Sequence, residues 1–109
     1  MTDVDLIINV NTYEDNSEGN CGPDQSSRCT LRAAFAEAAQ SNGKAVIMVP
    51  TDDTYYIRKG EIKVKKGNIN VIGDNGLAII DGVDNNGRFL RILANANLEI
   101  AHITMQNFL

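Results

Sequence analysis

Tryptophan is absent from this sequence, histidine occurs once, and proline and cysteine occur twice each. Two cysteines and one histidine fall short of the soft ligand set of a structural zinc site. The pair Cys21 and Cys29 is also too widely spaced for a C-x-x-C redox motif. No run approaches the ~18–20 apolar residues of a membrane-spanning helix. The densest basic group, Arg58, Lys59, Lys63, Lys65 and Lys66, falls on alternating strand positions and beside turns, as solvated outward lysines do. With a net charge of −4, the concentrated cationic face that phosphate binding needs is missing, and nucleic acid is not expected as a partner. The glycines show neither G-x-x-x-x-G-K nor G-x-G-x-x-G spacing, which removes a phosphate-cradling loop.

What remains describes one small domain of 109 residues. Its 43% apolar content is ordinary for a globular chain and enough for a modest core. Cys21 and Cys29 flank the polar turn Gly22-Pro23-Asp24-Gln25-Ser26-Ser27-Arg28, and a disulfide closing that turn is the expectation. Such a bond implies an oxidising compartment. No signal-peptide pattern is visible, since Thr2-Asp3-Val4-Asp5 leads straight into a strand pattern. A mature secreted chain begins in this way, as does a cytosolic one. The cysteines favour a secreted or cell-surface protein.

One helix stands out, within Cys29 to Ser41. Thr30 is placed as N-cap, and Leu31, Ala34, Phe35 and Ala38 follow at i, i+3, i+4 and i+7, a narrow apolar stripe. Asn42-Gly43 supplies a left-handed stop. A helix this short is marginal in water and must be held by docking. Arg32 opposes the helix dipole in the first turn. Glu14 or Asp15 as a carboxylate partner explains it, and so does simple exposure.

Everything else reads as short strands. Leu6, Ile8 and Val10 alternate on one face of the first. Ala45 to Pro50 is a buried strand ended by proline, and Tyr55 to Ile57, Ile62 to Val64, Ile69 to Ile72, Leu77 to Ile80, Phe89 to Ile92, Leu98 to Ile100 and Ile103 to Met105 follow. Between them lie Gly60, Gly67, Gly73, Gly76, Gly82, Gly87, Asn95 and Asn97. Three- or four-residue strands so regularly broken suit a parallel coil better than a sandwich. Asn68-Ile69-Asn70-Val71-Ile72 and Asn97-Leu98-Glu99-Ile100-Ala101 share one frame 29 positions apart, a faint repeat of one coil. An antiparallel β-sandwich is the alternative.

These residues resemble the CSLREA domain, the amino-terminal cap of secreted and surface right-handed parallel β-helix proteins. The hallmark is Cys29-Thr30-Leu31-Arg32-Ala33-Ala34, preceded by Val10-Asn11-Thr12, Asp15 and Cys21. Val46-Ile47-Met48-Val49-Pro50 and then Tyr55 or Tyr56 are similar to the family's next strands. Ile69 to Gly73, Ile79 to Gly82 and Leu98 to Thr104 are similar to its first coils. Ala33 departs from the family's glutamate, so the reciprocal bond of a capping box is missing. The resemblance implies an all-β fold with one capping helix: an N-terminal strand, disulfide loop and helix over 1–44, and two to three coils over 45–109. It implies a structural or binding role in adhesion, surface display or assembly. An uncapped coil end leaves unpaired edges, so further coils of a longer protein, or a second copy of this chain, are the expected partners.

Several right-handed β-helices cleave polysaccharides, so the resemblance also admits an enzyme. Glycoside cleavage needs two carboxylates ~5–10 Å apart. Asp81 and Asp84 are close in sequence, yet Asp81-Gly82-Val83-Asp84-Asn85-Asn86-Gly87 has the composition of a turn. Oxygens of Asp81, Asp84 and Asn86 are calcium candidates, although the spacing is not that of an EF-hand. No other cofactor is expected. His102 has no second histidine or nucleophile beside it, and Ser26, Ser27 and Ser41 lack a base. Tyr55 and Tyr56, with Arg91 nearby, are candidate contacts for a polysaccharide or a host surface, although aromatics more often stack inside a coil. The first reading is therefore a non-enzymatic capping module. The N-terminal part of a carbohydrate-active β-helix and a stand-alone glycan- or calcium-binding domain are the others.

Overall fold

The computed structural model describes residues 6–12, 21, 29–40, 44–51, 54–57, 62–74, 76–82 and 90–106. Along the chain these form β1 (Leu6–Asn9), α1 (Leu31–Ala38), β2 (Lys44–Pro50), β3 (Thr54–Tyr56), β4 (Ile62–Asp74), β5 (Ala78–Asp81), β6 (Leu90–Ala101) and β7 (Ile103–Gln106). The fold is mostly β with one short helix among the described residues. Two sheets are present, ordered β1-β2-β4-β6 and β3-β5-β7.

Every pairing between these strands is parallel, which overturns the antiparallel sandwich. Successive strands from β2 onward alternate between the two sheets, so each connection within a sheet crosses through the other. The first crossover differs: among the described residues, α1 and not a strand lies between β1 and β2. The expected repeat is a register of the ladder, because Asn68, Ile69, Asn70, Val71 and Ile72 stand opposite Asn97, Leu98, Glu99, Ile100 and Ala101.

Two strands are much longer than the three or four residues expected. β4 runs for 13 residues and β6 for 12. Gly67, Gly73, Asn95 and Asn97 therefore lie inside strands instead of turning corners. Gly67 has φ 114, which a residue with a Cβ resists. The β4–β6 register shifts between Val64 and Lys66, with Ile92 opposite Val64 and Asn95 opposite Lys66, so the extra residue lies in β6 and β4 runs on without ending. Pairing along the β4 ladder satisfies backbone groups on the side that faces β4, and this outweighs the local turn preference of asparagine.

Alternation places Ala45, Ile47 and Val49 of β2 and Ile69 and Val71 of β4 inside, with Ala78 and Ile80 of β5 in the same core. Ile8 and Val10 join them, but Leu6, expected on the same face, is exposed. Leu31, Ala34, Phe35 and Ala38, the whole helical stripe, are buried in that core. Burying Leu31 and Phe35 contributes about 1.5–3 kcal/mol each. The helix packs on β1, β2 and β4.

Thr30 caps α1 as the sequence predicts: its Oγ1 accepts from the Ala33 amide at 3.1 Å. The other end is earlier than expected. Ala39 closes the helix in a right-handed conformation, φ −67 and ψ −16; its amide donates to the Phe35 carbonyl at 3.0 Å, and the Gln40 amide donates to the Glu37 carbonyl at 3.1 Å. Asn42-Gly43 lies outside the described residues.

Candidate functional site

Two places in the fold carry more than packing: the tether of the helix and the uncovered last strands. Cys21 and Cys29 are joined by a disulfide with Cα atoms 4.6 Å apart. Cys29 is buried and immediately precedes the cap residue Thr30. Its backbone is bound from the other side by the end of the first strand. The amides of Asn11 and Thr12 donate to the Cys29 carbonyl at 2.9 and 3.2 Å. The Cys29 amide donates to Asn11 Oδ1 at 2.7 Å. Thr12 and Thr30 form an isolated parallel bridge alongside. Helix entry is thus fixed covalently and by hydrogen bonds at one residue.

Ala33, where the resembled family carries glutamate, is buried. A methyl group fits there without the desolvation that a carboxylate brings. Arg32 is half-buried. Its candidate partners Glu14 and Asp15 lie outside the described residues.

At the far side of the sheets, inward positions lose their cover. Leu98 and Ile100 of β6 stand beside Ile69 and Val71 of β4, and Ile103 and Met105 of β7 beside Ala78 and Ile80 of β5. Residues in register on neighbouring strands face the same side. Yet Val71 and Ile80 are fully buried, whereas Ile100 is 37% and Met105 50% exposed. Leu98 and Ile103 are half-buried against the core. Among the described strands, β6 and β7 each pair on one side only.

The remaining candidates scatter. Tyr55 is 3% exposed and belongs to the core, so its ring is not open to a sugar. That corrects its assignment as a glycan contact, and the cause is parity, since it points inward between Thr54 and Tyr56. Tyr56 is half-buried on the outer side of β3, and Arg91 is exposed on β6 in the other sheet. The three therefore do not share one surface. Asp81 ends β5 and accepts a hydrogen bond from Gln106 Nε2 at 2.9 Å. Its calcium companions Asp84 and Asn86 lie outside the described residues, as do Arg58, Lys59, Ser26, Ser27 and Ser41. Among the described residues, no group of three or more histidine, cysteine or acidic side chains is placed to hold a metal. His102 is exposed at the single-residue corner between β6 and β7, with φ 58.

No described helix is long and apolar enough to cross a membrane. The disulfide fits an oxidising location. Sequence reasoning missed Asn11 as a clamp, although Val10-Asn11-Thr12 was visible as a strand end. Nothing in a side-chain pattern reveals that its amide oxygen reaches a residue 18 positions on. The chain matches no model of a known protein family, no curated protein and no solved structure.

Proposed function

We propose that this chain is a non-enzymatic capping module of an extracellular right-handed parallel β-helix, with a role in adhesion, surface display or assembly. One contrast carries the reading. The first crossover is filled by a disulfide-tethered helix whose stripe lies in the core, whereas the last inward positions, Ile100 and Met105, are uncovered. A solenoid begins with an atypical closing unit and grows from its other end. The alternation of strands between two parallel sheets and the in-register repeat of β4 and β6 support the solenoid itself. Right-handed winding follows from the general preference of parallel crossovers, about 98% of cases. The resemblance of Cys29 to Ala34 and its flanking segments to the CSLREA cap supports the extracellular role.

Hydrogen exchange on dilute, oxidised protein tests this. Protection should be greatest in α1, β1 and β2 and least along the outer edges of β6 and β7. Uniform protection, or the reverse gradient, overturns the cap assignment. Pectin-type polymers should be left intact by the same preparation; any turnover overturns the non-enzymatic part. A glycan-binding reading retains one observation: Tyr56, Asp81 and Gln106 stand in register across the outer side of β3, β5 and β7.

A further inference from the structure

The outer side of the β3-β5-β7 sheet presents two in-register rows, two residues apart along the strands. Thr54, Ile79 and Thr104 form one, and Tyr56, Asp81 and Gln106 the other. Tyr55 and Ile80, the residues between them, are buried, so by alternation both rows face out. This grid differs in chemistry from the other sheet, where outward positions of β4 and β6 pair Lys63 with Arg91 and Asn70 with Glu99. The grid has one charge, Asp81, set among an aromatic ring, an aliphatic side chain that is 36% exposed, a carboxamide and two hydroxyls.

We infer that this grid is a binding track for a linear polysaccharide of neutral sugars, laid across the three strands. A pyranose has a C–H face and a rim of hydroxyls. The half-buried ring of Tyr56 offers the C–H face a stacking surface, because the face of an aromatic ring is electronegative. Ile79 extends the apolar contact on the next strand. A carboxylate accepts from sugar hydroxyls, while the Gln106 carboxamide and the Thr54 and Thr104 hydroxyls both donate and accept. Gln106 Nε2 donates to Asp81 Oδ2 at 2.9 Å, so these two side chains are held before any ligand arrives. Adjacent strands lie about 4.8 Å apart, close to the advance of one sugar unit in an extended polymer. A chain crossing the strands therefore meets one pair of side chains per unit: Thr54 and Tyr56, then Ile79 and Asp81, then Thr104 and Gln106. The lone carboxylate selects by charge, since it repels a polymer with an acid on every unit and admits a neutral one. The inference rests on the glycan-binding reading above and is independent of the capping role.

Nuclear magnetic resonance titration of the oxidised chain tests this with two oligomers of equal length, neutral cellohexaose and anionic hexagalacturonate. Cellohexaose should shift the backbone amides of β3, β5 and β7 and bind about five-fold or more tightly than hexagalacturonate. Tyr56→Ala should weaken cellohexaose about five-fold or more, and Tyr56→Phe, which keeps the ring, should lose less. Asp81→Asn should raise the affinity for hexagalacturonate and so narrow the preference. Shifts confined to other strands, a preference for hexagalacturonate, or affinity indifferent to Tyr56→Ala overturns the inference while leaving a glycan-binding role elsewhere standing. Binding of neither oligomer removes both, and the hydrogen-exchange gradient that tests the cap is untouched by that result. The substituted side chains face outward, and a dispersed wild-type-like spectrum identifies folded variants. Should a variant fail to fold, the wild-type shift map and the preference between the two oligomers decide the matter.

Discussion

Asn11 and Cys29 bind each other in both directions. The Cys29 amide donates to Asn11 Oδ1 at 2.7 Å, and the Asn11 amide donates to the Cys29 carbonyl at 2.9 Å. Asn11 Oδ1 also accepts from Thr12 Oγ1 at 2.8 Å. The end of the β1 segment and the entry to α1 are therefore one unit, held before the helix begins.

Replacing Asn11 removes the side-chain acceptor and leaves the part-buried Cys29 amide without it. Leaving such a donor unsatisfied costs about 1–3 kcal/mol. Asn11→Ala should lower the urea midpoint accordingly, and Asn11→Asp, which keeps an acceptor at that position, should lose less. Equal losses would show that the oxygen is not what matters.

Reduction of the disulfide should loosen the same unit. For residues eight apart, the chain-entropy model gives about 2.5 kcal/mol. Thermal melts with and without reductant should differ, as should Cys21→Ala combined with Cys29→Ala. Because Asn11 still grips Cys29, the reduced chain should remain folded at low temperature. A melting curve unmoved by reductant would mean that the hydrogen bonds alone fix the helix entry.

The cap itself is separable from the tether. Thr30→Ala deletes the acceptor for the Ala33 amide and should cost about 1 kcal/mol, while Thr30→Ser keeps the oxygen and should cost less. Denaturant unfolding of the three proteins ranks them. If serine is as damaging as alanine, the buried methyl of Thr30, not its hydroxyl, is the stabilising group.

How much of this was legible depends on whether a feature is local. The helix stripe at Leu31, Ala34, Phe35 and Ala38 is a period of the sequence, and the hydroxyl cap sits one residue ahead of it. Helix length was not legible. Asn42-Gly43 suggested a later stop, whereas the helix ends at Ala38 with Ala39 as its cap. The frame shared by Asn68–Ile72 and Asn97–Ala101 gave the register of β4 on β6, because equal spacing in a parallel stack becomes alignment. Strand length escaped for the opposite reason: Gly67 and Asn97 carry turn preferences that only a neighbouring ladder can override. Tyr55 and Tyr56 are chemically alike, and only their parity within β3 decides which ring is buried.

A last test concerns the corner where the two sheets meet. Gly73 is buried in β4, and a Cβ there would run into the His102 carbonyl oxygen, with the Gly76 oxygen at 2.9 Å and the Ala78 nitrogen at 3.1 Å. That same His102 carbonyl accepts from the Ala78 amide at 3.0 Å, so it cannot withdraw without breaking the bond that joins β5 to the corner. Gly73→Ala should therefore destabilise by about 1–3 kcal/mol, the range for overpacking, read as a lower urea midpoint. His102 is the one described non-glycine residue with positive φ, at 58, a conformation that costs an L-residue about 1–2 kcal/mol. His102→Gly relieves that strain but adds about 0.5–1 kcal/mol of unfolded-chain entropy, leaving a net stabilisation of about 0–1.5 kcal/mol. Combining the two substitutions should not rescue Gly73→Ala, because the collision is with the backbone oxygen at 102 and not with the imidazole. A double variant more stable than the sum of the two single effects by over about 1 kcal/mol, a coupling energy of the size contacting residues show, would mean that the corner can swing aside and that the close approach is not fixed by the ladder.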